Sequence, residues 1–256
     1  MYQTISPELL KTLSEIDCPS ICNAIEGFNI QPKNEGFMLP EIKGVFQDLP
    51  PVVGYAVTGV ISAVRQEGRN VSREDWWDLI ASVPEPRFIV LHDIDTPPMG
   101  AYWGEVQGNI HKALGAVGVA TDGTVRDLDE AHDLGFRFFA KEVSVSHAYV
   151  HLVEIGIPVT VGGLTVKTGD LLHGDKHGVT SIPFGIAQEI PANKSEVSLA
   201  LRHYLGYQAV ACPDPDGQRE LACHTTKSAV DGGRSQSVGI DAVQHFQARE
   251  DKVSQP

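Results

Sequence analysis

The segment from Gly54 to Ile94 constrains this chain most. Gly54 to Val64 alternates and is rich in Val, Ile and Thr, which predicts a strand; Arg73 to Val83 carries a helical pattern, and Arg87 to Ile94 is a short apolar run that predicts a second, buried strand. The rhythm is β, α, β, that of an α/β protein. It continues with a helix over about 105 to 116, a strand over 117 to 122, a helix over 125 to 135 and a short strand from Phe138 to Val143. Turn-broken strands follow at Pro158 to Val161, Leu164 to Val166 after Gly162-Gly163, Leu171 to His173 and Val179 to Ile182. A closing helix is expected from about Ala187 or Lys194 to Tyr204. Ahead of this pattern, Pro7 to Ile16 and Pro19 to Gly27 read as helices, the second capped by Asp17 or Ser20 and ended by Gly27, and residues 28 to 53 read as irregular. Pattern alone gives a mixed α/β domain.

The chain of 256 residues suffices for one substantial core, and residues 207 to 256 are polar and Pro- and Gly-punctuated, a C-terminal extension with no assigned chemistry. The net charge of −13 excludes a nucleic acid as the main partner, because a phosphate backbone needs a basic surface. An acidic protein acting on an acidic substrate needs a local cationic site instead. Cys18, Cys22, Cys212 and Cys223 form no Cys-x-x-Cys pair, and no basic and apolar signal segment opens the sequence, so a reduced cytoplasm is expected. No apolar run approaches the roughly 20 residues that span a bilayer.

A candidate site lies at Arg126-Asp127, where the β-branched run ending in Asp122-Gly123 meets a helical pattern. Such a position exposes side chains at the carboxyl edge of a sheet beside a helix N-terminus, where α/β proteins bind ligands. The carboxylate suits a hard cation, and the guanidinium an anionic substrate or a developing oxyanion. The plainer reading is that the pair only caps and pairs on a first turn. Gly104, Gly108 and Gly115 predict accessible backbone amides at a helix start, suited to a carboxylate. No Gly-x-Gly-x-x-Gly, Walker lysine or Gly-x-Ser-x-Gly is present, which leaves nucleotide binding and the commonest hydrolase chemistry unsupported.

Glu105 in Trp103-Gly104-Glu105-Val106-Gln107-Gly108, twenty residues, then Arg126-Asp127, followed by Gly162-Gly163-Leu-Thr-Val-Lys-Thr-Gly169-Asp170 and Gly174-Asp175-Lys-His-Gly178, resembles the RraA-like family. The likeness covers roughly residues 12 to 206, which implies an RraA-like domain over 1 to 206 and the extension beyond it. The family comprises divalent-metal class II aldolases of 4-hydroxy-4-methyl-2-oxoglutarate and 4-carboxy-4-hydroxy-2-oxoadipate, together with ribonuclease E regulators. The aldolase pattern has Asp where this chain has Glu105, one methylene longer. The resemblance implies a swivelling β/β/α fold with added N-terminal helices, homotrimers or hexamers, and a 2-oxo acid substrate whose carboxylate rests on the main-chain amides of Gly104 to Gly108. It further implies Asp127 as ligand of Mg²⁺, Mn²⁺ or Co²⁺, Arg126 at the enolate oxygen, and Glu105 positioning water or relaying a proton, with oxaloacetate decarboxylation as a side activity. The alternatives it leaves are a non-catalytic regulatory protein, or a related lyase with a substrate chosen by Trp103, His147 and the extension.

Other residues compete for a role. His147 with His151 and His173 with His177, the latter pair bracketing Asp175, have spacings that could hold zinc or iron, although the plainer expectation is packing or an interface for the first pair and an Asx-type turn for the second. Arg65, Gln66, Glu67, Arg69 and Arg73 read as a solvated loop from which a cation could reach the distal carboxylate of a diacid. Trp76 and Trp77 read as core or interface. Lys141 and Lys167 are the lysines left for Schiff-base chemistry.

Overall fold

The computed structural model describes residues 2–65 and 71–193. Two short helices lead, α1 (Pro7–Ser14) and α2 (Cys18–Gly27), each with proline in its first turn and a side-chain cap, Ser6 on the Leu9 amide and Asp17 on the Ser20 amide. Such a cap contributes about 1 kcal/mol. Gly27 is still helical; the left-handed turn that leaves α2 is taken by Asn29, with φ 51°. A short strand β1 (Lys43–Gly44) interrupts the irregular stretch that follows.

The α/β unit then runs β2 (Val52–Ser62), α3 (Arg73–Ser82), β3 (Arg87–Asp93), β4 (Ala101–Trp103), α4 (Glu105–Ala113), β5 (Ala116–Val125), α5 (Leu128–Leu134) and β6 (Arg137–Val143). It ends in β7 (His151–Ile155), the hairpin β8 (Val159–Val161) and β9 (Leu164–Val166), and the hairpin β10 (Leu171–Asp175) and β11 (Gly178–Ser181). Strands β2, β3, β5 and β6 pair in parallel, while β10, β7 and β1 add antiparallel partners. The order across the sheet is β1-β6-β5-β3-β2-β10-β11, with β4 beside the end of β5 and β7 beside the end of β2. The sheet curls until its two edges nearly meet: a Cβ on Gly44 in β1 would stand 2.8 Å from the Asp175 carbonyl oxygen at the tip of β10.

Alternation along the strands assigns the two faces of this curled sheet, since successive side chains point to opposite sides. Tyr55, Val57, Ile61, Ile89, Leu91, Val119 and Phe138 join the helices in one core, whereas Ala56, Phe88, Val90, Ala120 and Phe139 face Val159, Val161, Leu164 and Leu172 in a second. Helices, sheet and covering hairpin make the mixed α/β arrangement that the pattern predicts and the β/β/α layering that the resemblance implies. The Gly162-Gly163 turn takes φ 54° and 78°, the left-handed geometry of a tight hairpin. Beyond Asn193, the expected closing helix lies outside the described residues apart from its start at Ile190. The same holds for the boundary at 206 and for the extension. Among the described residues no helix is long and apolar enough to cross a membrane.

Two buried titratable groups set opposing pH dependences. Trp76 Nε1–H donates to His111 Nε2 at 2.9 Å, so the imidazole proton sits on Nδ1, which donates to the Gln107 carbonyl at 2.8 Å. Burial pushes His111 down to about 4 from an ordinary 6.5. Its contribution to stability is full above the ordinary histidine value and is lost as pH falls from about 6.5 to about 4. Asp93, buried at the end of β3 with Oδ2 unpartnered among the described residues, is pushed up by burial to about 6 from 3.8. That contribution is full below the ordinary value and is lost as pH rises to about 6, offsetting His111 over nearly the same window. In urea unfolding, Asp93→Asn is therefore expected to expose a fall in stability on the order of 3 kcal/mol between neutral pH and pH 4. Adding His111→Gln is expected to flatten that fall; a fall of equal size in the double variant would contradict the assignment.

Candidate functional site

The site is built where two crossover units meet at the carboxyl edge of the parallel strands. Trp103, the last residue of β4, pairs with Val125, the last of β5, and the Arg126 N–H donates to the Trp103 carbonyl at 2.9 Å. Gly104-Glu105 is thereby set directly against Arg126-Asp127. A Cβ on Gly104 would collide with Asp127 Oδ2, so the close approach requires glycine. Asp127 sits in the left-handed region, φ 52° and ψ 53°, which Asp and Asn tolerate better than other side chains.

Although Asp127 stands at the N-cap position of α5, its carboxylate makes no cap hydrogen bond there. It turns instead to α4, whose own N-cap, Gly104, has no side chain to offer: the Glu105 N–H donates to Asp127 Oδ2 at 3.0 Å. The capping role that the sequence allows for this residue thus acts across to another helix. Arg126 Nε lies 3.7 Å from the same oxygen, with both side chains about one-third exposed.

Arg126 and Asp127 open onto a cavity of about 650 Å³. Gly104, Val106 and Gln107 line it from the first turn of α4, where the Val106 and Gln107 amides have no partner among the described residues. Gly108 is different: its N–H donates to the Gly104 carbonyl at 2.9 Å and its Cα packs against Leu134, so its amide is not available to a ligand. Gly115 is also corrected, since it follows the C-terminus of α4 with φ 71° and its N–H donates to Lys112. Glu105 is exposed on the rim, outside the cavity lining.

The rest of the lining comes from residues to which the sequence assigned no firm role. Arg65 and Arg73 belong to it, as do His147, Tyr149 and His151 in the segment leading into β7. That segment is tied down by Ala101 N–H to the Ser146 carbonyl at 2.8 Å and Tyr149 N–H to the Ala63 carbonyl at 3.2 Å. Arg65 lies over the Tyr149 ring, 5.9 Å from its centroid. His147 Nδ1 donates to the Ala148 carbonyl and His151 Nδ1 to the Tyr149 carbonyl, at 2.7 and 2.8 Å, which leaves each Nε2 free of protein partners among the described residues. The signal that could have found these residues is their shared polarity at the ends of β2 and β7; the pairing that joins them is long-range.

The second histidine pair is structural. His173 is buried between Cys18 and the end of α1: the thiol donates to Nδ1 at 3.0 Å and Nε2–H donates to the Ile16 carbonyl at 2.8 Å. Burial, reinforced by Asp175, holds the Cys18 thiol far above its ordinary range, which removes it as a nucleophile. Asp175 accepts from the Cys18 and His177 amides at 2.9 and 2.8 Å and closes the β10–β11 turn as the expected Asx-type turn. Among the described residues no group of His, Cys, Asp and Glu is arranged to hold a metal by three or more ligands, so a zinc or iron site from His147, His151, His173 and Asp175 is excluded there. Trp103 is fully buried, edge-on to His111 at 4.6 Å, and cannot select a substrate by contact. Trp76 is core, as expected. Lys141 pairs with Glu41 at 3.2 Å, and neither it nor Lys167 lines the cavity.

A mixed sheet with an Arg-Asp pair at the carboxyl edge of its parallel strands, beside an open helix start, defines an α/β protein with a ligand cleft at the strand ends. Comparison with known proteins gives the class a family: the chain belongs to the RraA-like family, described as Aldolase/RraA, which matches residues 18–180. An uncharacterized protein of Methanocaldococcus jannaschii is 28% identical over 201 residues, 77% of this chain and 87% of that one. A protein of Halalkalibacterium halodurans named "Putative 4-hydroxy-4-methyl-2-oxoglutarate aldolase" is 28% identical over 106 residues, 41% of this chain and 50% of that one. Among solved structures, Streptomyces coelicolor RraAS2, described as an unusual member of the RNase ES inhibitor RraA protein family, aligns with TM-score 0.59 at 20% identity over 80% of this chain and 96% of that one. At that identity the likeness is one of fold.

The cross-helix cap makes a stability prediction. Asp127→Asn keeps an acceptor oxygen and tolerance of the left-handed backbone, whereas Asp127→Ala loses both and is expected to cost about 1–2 kcal/mol. Urea titrations of the two variants check this; equal losses would show that the charge matters and the hydrogen bond does not.

Proposed function

We propose that the cavity is the active site of a divalent-metal-dependent carbon–carbon lyase acting on a 2-oxo acid, of the 4-hydroxy-4-methyl-2-oxoglutarate aldolase kind. The observation that carries this reading is the seating of the Arg126 guanidinium and the Asp127 carboxylate against the open first turn of α4, on one wall of one cavity. The likeness to the Halalkalibacterium protein supports the same substrate class.

The donor set fits a hard cation. Asp127 Oδ2 is held by the Glu105 amide, and Oδ1 has no partner among the described residues. One carboxylate oxygen, with water and substrate completing the shell, suits Mg²⁺ or Mn²⁺, which keep much of their hydration, and suits Zn²⁺ poorly. When bound, the ion supplies Lewis-acid stabilisation of the charge that develops on the 2-oxo oxygen.

This chain's own residues do the rest. The Val106 and Gln107 amides receive the substrate carboxylate at the positive end of α4. The C4 hydroxyl gives up its proton, through water to the Glu105 carboxylate on the rim, and the C3–C4 bond breaks with its electron pair passing to the 2-oxo oxygen. Arg126 stabilises that oxygen, an effect worth ~3–4 kcal/mol for one well-placed donor. Protonation at C3 releases pyruvate; from 4-hydroxy-4-methyl-2-oxoglutarate the second product is pyruvate as well. Loss of carbon dioxide from oxaloacetate passes through the same enolate. Assembly into trimers or hexamers belongs to this reading, supported by the apolar side chains exposed at and just after the end of β6, Val143 at 58% and Val145 at 96%.

Pyruvate release from 4-hydroxy-4-methyl-2-oxoglutarate and from oxaloacetate, coupled to lactate dehydrogenase, tests the proposal. Turnover is expected with Mg²⁺ or Mn²⁺, abolished by EDTA, and reduced by roughly 10²–10³ in Arg126→Ala. No turnover from folded, metal-loaded protein would overturn the lyase reading in favour of a binding protein.

A further inference from the structure

We propose that His151 is the acid–base residue that carries the proton to and from C3 of the enolate, its tautomer set for that task by the backbone. The inference rests on the lyase reading for the enolate, and it supplies the donor for the protonation at C3.

A proton bound for carbon has to come from a group in the cavity that gains and loses it readily near neutral pH. Few of the lining residues qualify. Arg65, Arg73 and Arg126 line the cavity, but a guanidinium does not give up its proton. Asp127 is bonded to the Glu105 amide, and Glu105 itself lies on the rim outside the lining. The Tyr102 phenol lines the cavity, and burial pushes it up to about 12, so it keeps its proton. Tyr149 is 62% exposed, with the Arg65 guanidinium over its ring. That leaves His147 and His151, and imidazole is the side chain suited to exchanging a proton near neutral pH.

Their geometry separates the two. Each Nδ1 donates to a carbonyl, which fixes the Nδ1–H tautomer and leaves the lone pair on Nε2. His147 is exposed and bonds the carbonyl of its neighbour Ala148, a residue at φ 44°. His151 is half-buried and opens β7, where it pairs with Ser62 of β2 and is followed by the buried Leu152. Its acceptor, the Tyr149 carbonyl at 2.8 Å, belongs to a residue whose N–H donates to Ala63, just past the end of β2. The ring is thus tied to β2 twice, and Nε2 can gain and lose a proton while the Nδ1 bond stays in place. An acid–base group on a paired strand keeps its aim better than one on an exposed turn.

The step balances. The imidazolium gives its Nε2 proton to C3 as the enolate π pair forms the C3–H bond and the 2-oxo carbonyl is restored. His151 is left neutral and takes its next proton from water, to which the C4 hydroxyl proton returns by way of Glu105. In reverse, the neutral Nε2 takes a methyl proton from bound pyruvate. The protein therefore exchanges pyruvate methyl protons with solvent without breaking a carbon–carbon bond.

Proton NMR of pyruvate in D₂O with Mg²⁺ reads that exchange. The wild-type protein is expected to deplete the methyl signal, and His151→Gln to do so at least about 10²-fold more slowly, within the span of acid–base catalysis. The same variant is expected to bind oxamate with an affinity changed by less than about threefold, which places the loss in proton transfer and not in folding or binding. Exchange in His151→Gly is expected to return in proportion to added imidazole. Without metal or substrate, long-range ¹H–¹⁵N correlation in mildly alkaline buffer is expected to show His151 protonated on Nδ1 and bare on Nε2. Unchanged exchange in His151→Gln, oxamate binding lost together with exchange, exchange lost only in His147→Gln, or the Nε2–H tautomer overturns the assignment and leaves the lyase reading in place. Exchange that depends on His151 in a protein that cleaves neither 4-hydroxy-4-methyl-2-oxoglutarate nor oxaloacetate supports the assignment and overturns the lyase reading alone. A wild-type protein that exchanges no pyruvate protons overturns both.

Discussion

The hydrogen bond from the Glu105 amide to the Asp127 carboxylate ties together the starts of two neighbouring crossover helices. It requires a glycine at 104 for the approach, a left-handed aspartate at 127 for the aim, and the β4–β5 pairing to bring the strands' ends level. Each is a local cost or a local constraint that α4 and α5 would not impose alone. Together they leave a helix start open to solvent beside a guanidinium, which is why the ligand wall lies here and not at another strand end.

The two ends of the curled sheet divide the protein's polar chemistry. At the amino ends of the parallel strands, Cys18, His173 and Asp175 are spent on one another and on backbone groups, and seal the seam where β10 and β11 approach β1. Burial disfavours the thiolate and the imidazolium alike, so this cluster holds structure together. At the carboxyl ends, the cavity's arginines and histidines keep open hydrogen-bonding capacity. Similar residue types thus serve opposite ends of the molecule, and what separates them is desolvation and the number of partners.

Much of the fold was legible because its signals are local. The parallel strands, the three crossover helices and the Gly162-Gly163 hairpin follow from periodicity and turn chemistry within windows of about ten residues. Strand β4 was not, since three residues between two glycines carry no period, and β7 was hidden by a sequence that alternates weakly. Both are held by pairing with strands distant in sequence, β5 and β2. Reading β5 as ending at Asp122 had the same cause: the residues through Val125 extend because β4 and β6 flank them.

By itself the sequence determined an α/β core and the Arg126-Asp127 pair at a strand end, because these depend on side-chain pattern along the chain. Tertiary structure alone decided that Asp127 caps α4 and not its own helix, that Gly108 and Trp103 are withdrawn from the site, and that Arg65, Arg73, His147 and His151 enter it. The physical reason is that charge and exposure are properties of what lies nearby in space. The neighbours here are brought together by a sheet whose partners lie far apart along the chain, as Gly59 and Ile155 do, and Val52 and Gly174.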